Sequence, residues 1–566
     1  MAWHPSLVVT PALLALALSA CPQRGPDPLD FTRAHAAGPA PTTAAATTTT
    51  AATTATTKPL MPDGPATASV SISARRTHVP MAHPSPLGMN LSSIRDYSTE
   101  QPFVDVFKQS RDWISTREGE WDDQRPIAKN ARGWVTSLLP GQSARSLVMW
   151  GDVPFPKGTY KVRWKGKGTI NFWPQADSVS STGEGKFDLN ADPKKGGIAV
   201  TITSTDPADP IRDIQVILPG ADDKTRWNPA FLAVIKPFSV LRVMDWLETN
   251  NSTLKAAADR PVVDNATWAI HGVPAEVIAD LANTTGADVW VNVGHEWSDA
   301  LVDAFATALR DTIDPKRRIY VEFSNEVWNG MFTQARAMSQ QGSAAGLSDD
   351  AFAAGLMWHT QRSVAVHKRF DAVFGARNTQ IVRVLGAWAA NGWSTGVMLK
   401  HLDSIHGEVD AIAIAPYFGG NLGTPEQRGK VQGMGQPELM AALDGAVDEA
   451  IAWTKEQVET ATKHKVAVIA YEGGQHLVGI GPVMDDPHVN TLFDRANSHP
   501  KMKDVYLRYL NGWKHAGGSL FVHFTTVAPP GKFGRWGAME RLGQPRAEAP
   551  KYDALLTFIE GTPRWY

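Results

Sequence analysis

From residue 239 onward, the chain repeats one rhythm. Short, continuous apolar runs occur at 239–244, 288–293, 318–323, 380–385, 410–415, 465–470 and 519–524. Each is six residues long, rich in branched side chains, and too short for a helix of ordinary length. The runs are apolar almost throughout rather than every second residue, which is the signature of strands buried on both faces of a parallel sheet. Amphipathic stretches at 274–282, 299–309, 439–462 and 505–514 lie between them, and another at 552–559 follows the last. An earlier run, Leu87-Gly88-Met89-Asn90-Leu91, brings the strand count to eight. Eight buried strands alternating with helices predict an α/β fold of the closed (β/α)8, or TIM-barrel, type. A doubly wound open sheet is the competing arrangement, but no Gly-x-Gly-x-x-Gly follows an early strand to mark a dinucleotide site.

The period changes between the first and second of these strands. Within 133–220, runs such as 158–164, 168–172, 198–202 and 211–216 alternate apolar and polar residues and are split by Gly, Pro and Asp turns. This predicts a small antiparallel, sandwich-like β domain inserted between barrel strands 1 and 2. It divides the barrel into a first part at 69–132, with a helix expected over 100–115 on the strength of Phe103, Val104 and Phe107, and a remainder at 221–566. The insert carries Trp150, Trp164 and Trp173. Two readings are open: a buttress for the barrel, which is favoured, or a carbohydrate-binding face.

Residues 7–20 are apolar but too few to span a bilayer, which takes ~20 residues in a helix. They end in Leu18-Ser19-Ala20-Cys21, and Cys21 is the chain's only cysteine, so no disulfide framework exists. The segment resembles the lipobox of bacterial lipoproteins, which implies a signal peptide over 1–21, lipidation at Cys21 and a secreted, outer-membrane or cell-surface location. It departs from that pattern in having no Lys or Arg before the apolar run. Residues 22–68 are dominated by Ala, Thr and Pro and lack the large apolar side chains that build a core, so they read as a disordered tether. Lys plus Arg (55) nearly balances Asp plus Glu (57), which argues against a nucleic-acid partner and leaves the membrane to a lipid anchor alone.

In a barrel, chemistry is expected at the C-terminal strand ends. Strand 2 reaches Arg242, strand 3 His295, strand 4 Asn325-Glu326 with Trp328 just beyond, and strand 6 Tyr417. Strand 7 ends in Tyr471-Glu472-Gly473-Gly474, and strand 8 in His523 with Trp536 in the following loop. A carboxylate closing a buried strand is a poor packing choice, and two such strands at one barrel mouth would bring Glu326 and Glu472 together. Arg242 suits a salt bridge to Asp245 or Glu322 as well as a functional role. His295 and His523 read equally as flanking a substrate or as satisfied barrel-mouth histidines, and Glu296 as a surface charge. Trp is heavy, 20 against 9 Tyr, and Trp297, Trp388, Trp393 and Trp536 are candidate sugar-stacking rings. No His-x-His on the first strand and no cofactor signature is present.

Asn-Glu on strand 4, Glu on strand 7 and Tyr on strand 6 resemble clan A of the retaining glycoside hydrolases, over residues 85–120 and 225–560. The resemblance implies Glu326 as acid/base, Glu472 as nucleophile, Tyr417 as donor to the nucleophile, Asn325 as a contact to the substrate 2-hydroxyl, and Arg242 as the basic residue near the nucleophile. Clan members commonly carry a Trp at the end of strand 8, where this chain has His523 and offers Trp536 only later. Residues 239–250 and 320–330 are also similar to bacterial proteins often labelled cellulose-binding proteins. The expected substrate is an extracellular β-linked polysaccharide or oligosaccharide, β-glucan or cellulose first, mannan or xylan behind. The alternative is a non-catalytic carbohydrate-binding lipoprotein with a relic barrel.

Overall fold

A computed structural model describes residues 69–151 and 154–566. The leader, Cys21 and the tether over 22–68 lie outside the described residues. Among the described residues no helix is long and apolar enough to cross a membrane.

Eight parallel strands close a barrel: β1 Leu87–Asn90, β2 Val240–Arg242, β3 Asp288–Val293, β4 Ile319–Phe323, β5 Ile381–Gly386, β6 Ala411–Ile414, β7 Ala467–Ala470 and β8 Phe521–His523. Closure comes from β8 pairing with β1, with Leu87 opposite Phe521 and Met89 opposite His523. Every residue of these strands is buried except Arg383, which is why they read as apolar runs. The helices that cover them include Ala275–Thr285, Asp299–Thr312, Ala351–Phe374, Gln436–Lys463, Met502–His515 and Pro550–Gly561. Their limits have local causes. The Ser298 side chain accepts the Leu301 N–H to start one helix, and Gly286, at φ 76°, ends another in the left-handed conformation.

The strand period of two sorts the barrel side chains into two cores. Leu87, Met89, Leu241, Val289, Val291, Ile319, Val321, Phe323, Val468 and Phe521 point outward into the helix layer. Val240, Trp290, Tyr320, Val382, Ala411, Ala467, Ile469 and Val522 fill the interior. Above that apolar floor, the same phase aims Asn90, Arg242, Asn292 and Glu322 inward on β1 to β4, all four buried.

The insert lies between β1 and β2. Its sheet has six antiparallel strands, Ile114–Thr116, Ser143–Met149, Gly158–Phe172, Ala176–Ala191, Ile198–Thr205 and Arg212–Ile217, around a separate core containing Phe107, Trp134, Val162, Trp164, Ile170 and Ile214. The sheet thus begins before residue 133. The helix expected over 100–115 is absent: only a short 3-10 turn, Val106–Gln109, forms there. Asp105 explains the difference, because its carboxylate accepts the N–H groups of both Phe107 and Val216 and ties the segment to a strand of the insert.

Candidate active site

The C-terminal strand ends converge on Arg242. Its side chain has no exposed surface and is held in four directions. It donates to Glu322 Oε2 from Nη2 (3.0 Å) and Nε (3.3 Å), to Asn90 Oδ1 (3.1 Å), to Glu472 Oε1 (2.8 Å) and to Asn325 Oδ1 (2.9 Å). Its guanidinium also lies over the Tyr471 ring, 4.8 Å from the centroid. Burial alone would lower its pKa, but the Glu322 and Glu472 charges outweigh that and raise it.

Glu472 follows Tyr471 at the end of β7 and is 5% exposed. One oxygen accepts from Arg242; the other accepts from the Tyr417 hydroxyl at 2.9 Å. Burial pushes its carboxyl up to about 8, with the Glu326 charge adding to the rise, while Arg242 and Tyr417 pull it back toward the ionised form.

Glu326 is reached by a sharp turn after β4. Ser324 (φ 63°) and Glu326 (φ 42°) both have left-handed backbone, which costs about 1–3 kcal/mol per non-glycine residue. Hydrogen bonds hold the turn: Ser324 N–H to Val293 C=O (2.7 Å), Asn329 N–H to Glu326 C=O (2.9 Å) and Gln334 Nε2 to Asn325 C=O (3.0 Å). The Glu326 carboxyl accepts from the Asn329 amide (3.0 Å) and the Tyr471 hydroxyl (3.3 Å), both neutral donors. Burial raises its pKa. The two carboxyls therefore occupy one mouth with unlike partners: Glu472 is against a cation, and Glu326 is not.

Asn325 is buried, with Oδ1 taken by Arg242 and Nδ2 donating to Asn250 Oδ1 at 3.1 Å. Trp536 reaches the site from the loop after β8. Its backbone carbonyl accepts the Thr525 N–H (3.1 Å), and its ring stands 5.5 Å from Tyr417 and 4.8 Å from His476. Trp328 lies 6.4 Å from the Tyr471 ring. His295 lies at the end of β3, half-buried, with burial lowering its pKa, and is bonded to neither carboxylate.

His523 is corrected by the structure. Val522 takes the inward phase of β8, so His523 turns to the helix layer, fully buried and 5.6 Å from the Tyr506 ring. It does not face the mouth. Trp297 is likewise core, 4% exposed against Phe305.

Sequence reasoning assigned no site role to Glu322, Tyr471, Asn90 or His476. Glu322 carried a signal: a carboxylate inside an apolar strand, in phase with Tyr320. One of its oxygens accepts from Arg242, Trp290 Nε1 (2.9 Å) and Asn292 Nδ2 (2.8 Å). Among the described residues, no group of three His, Cys, Asp or Glu could hold a metal ion.

The chain matches no family profile and no curated protein in sequence. Solved structures similar to it include glycoside hydrolases. A 4-O-α-L-rhamnosyl-β-D-glucuronidase from Fusarium oxysporum has 13% identity and a TM-score of 0.38, over 59% of this chain and 66% of that one, just under two thirds of its length. A GH5-4 broad specificity endoglucanase from Clostridium longisporum has 11% identity and a TM-score of 0.36, over 60% and 87%. A family 5 xyloglucanase from Paenibacillus pabuli has 12% identity and a TM-score of 0.34, over 61% and 93%. At this level of likeness they carry no argument about activity, which rests on the site itself.

Proposed function

We propose that this chain is a retaining glycoside hydrolase acting on an extracellular β-linked polysaccharide, with a β-glucan or cellulose-like chain as first choice. The observation that carries the reading is the asymmetry of the two carboxyls. Burial raises the pKa of both, but Arg242 and Tyr417 pull Glu472 toward the ionised form, whereas Glu326 accepts only from the neutral Asn329 and Tyr471. With the cation in contact with only Glu472 of the two, the proton the pair shares is assigned to Glu326.

The chemistry follows. A Glu472 oxygen attacks the anomeric carbon while Glu326 gives its proton to the glycosidic oxygen; the C–O bond breaks and the aglycone leaves as an alcohol. The Tyr417 hydroxyl steadies the carboxylate before attack. Water then loses a proton to Glu326, attacks the anomeric carbon, and releases Glu472. Asn325, its amide held by Arg242 and Asn250, is the group for the 2-hydroxyl. With a lipidated Cys21 and the 22–68 tether, the barrel would work at a bacterial cell surface.

The test is Glu472→Ala assayed on an activated aryl β-glycoside. Turnover should fall on the order of 10⁴-fold, and azide should restore it, forming a glycosyl azide of inverted configuration. Glu326→Ala with azide should instead give the azide of retained configuration. Unchanged turnover in Glu472→Ala refutes the mechanism.

A further inference from the structure

The insert leaves three tryptophans at its surface, from three separate places in the chain. Trp121 lies in the loop after Ile114–Thr116, Trp150 follows Ser143–Met149, and Trp173 sits in the turn between the two long strands. Their ring centroids are 5.5, 5.5 and 6.0 Å apart. Trp121 is 40% and Trp173 46% exposed, whereas Trp164 of the same sheet is buried, its indole N–H donating to Ser181 Oγ. Exposed apolar surface clustered in this way is costly in water and marks a binding surface more often than chance.

Two features hold the rings in place. The Arg145 guanidinium lies 4.4 Å from the Trp121 centroid and 5.9 Å from that of Trp173, and its Nε is anchored to Thr201 Oγ1 on the adjacent strand (3.2 Å). Gly197 admits the Trp150 ring: a Cβ there would stand 2.7 Å from Trp150 Cε3. The cluster is also joined to the catalytic face. The Trp150 N–H donates to the carbonyl of Asp96 (2.9 Å), in the loop that leaves the C-terminal end of β1.

We propose that Trp121, Trp150 and Trp173 form a carbohydrate-binding platform, separate from the catalytic mouth, that takes the ring faces of a neutral polysaccharide. A pyranose presents an apolar C–H face to stack on an indole and hydroxyls to accept from indole and guanidinium N–H groups. Three rings and one arginine are too small a patch for a stable protein partner, which needs roughly 800 Å² on each side. The platform goes beyond the active-site reading and stands without it.

The experiment is affinity electrophoresis of the full chain carrying Glu472→Gln, in gels cast with barley β-glucan, galactomannan or xylan. Retardation is expected in at least one gel, with at least a tenfold loss of affinity in Trp121→Ala/Trp173→Ala and most of it kept in Trp121→Phe/Trp173→Phe. The alanine pair in the otherwise unaltered chain should keep its melting temperature and its turnover of an aryl glycoside. The proposal is overturned by no retardation in any gel, by equal retardation of the alanine pair, or by ring-dependent sedimentation with phosphatidylglycerol vesicles in place of glycan binding. Absent turnover of the aryl glycoside by the unaltered chain would count against the glycosidase reading and leave the binding result intact.

Discussion

Glu322→Gln isolates what the buried carboxylate beneath the mouth does for the one above it. Glu322 and Glu472 grip the same guanidinium from two sides, at 3.0 and 2.8 Å, so their charges lie roughly 7 Å apart. At an effective dielectric of about 20, two like charges at that distance repel by about 2 kcal/mol, or between ~1 and 2 pKa units. Glutamine keeps the shape and, with its carbonyl in place of Oε2, still accepts from Arg242, Trp290 and Asn292. Only the charge goes. Arg242 then serves Glu472 alone, and the proposed nucleophile ionises more readily. The assay is the pH profile of kcat/KM, whose acid limb reports the free enzyme's essential base. That limb should move to lower pH by about 1–2 units, and unfolding free energy should fall by no more than about 3 kcal/mol, because Arg242 keeps one buried partner. An acid limb that stays where it was, in a variant that folds, refutes the idea that Arg242 divides its charge between the two carboxylates.

Glu100 offers a check on stability. It is fully buried, pushed up to about 8 by desolvation, and one of its oxygens has no hydrogen-bond partner. The folded chain therefore holds this proton more tightly than the unfolded chain, whose carboxyl titrates near ~4.3, and stability falls as pH rises between those values. Glu100→Gln should raise the melting temperature relative to the parent at pH 8 and much less at pH 5; an equal difference at both sets the argument aside. His523→Leu should leave kcat/KM within about twofold, because the ring faces Tyr506 and not the mouth, and a loss of a hundredfold or more would restore His523 to the site.

The strands were legible because burial on both faces makes each a continuous apolar run, and Glu326 and Glu472 because a carboxylate closing such a run has few structural uses. The same continuity hid the phase. In Leu520-Phe521-Val522-His523 both faces are apolar, so nothing in the residues says that Val522 points in and His523 out; the pairing of β8 with β1 decides it. Glu322 was passed over for a related reason. Its role depends on Arg242, Trp290 and Asn292, which strand registry brings together from β2 and β3. The 100–115 segment failed differently. Phe103 and Phe107 have helical spacing, but Phe103 packs among Trp227, Trp246 and Trp268 of the barrel while Phe107 stacks on Trp134 of the insert. One stripe in sequence served two cores.

The join between insert and barrel has a consequence of its own. Outgoing residues 102–105 run antiparallel to the returning chain: Phe103 bridges Trp227, Asp105 bridges Ile217, and the Asn228 N–H meets the Pro102 carbonyl at 2.9 Å. The two crossing points thus lie side by side, and the barrel sees the whole intervening sheet as a short loop whose ends already touch. A graft at such a place leaves barrel closure undisturbed. The paired neck also denies the sheet the free swivel of a domain on one linker, so a glycan held on the sheet keeps a fixed span to the carboxylates instead of sampling a wide volume around them.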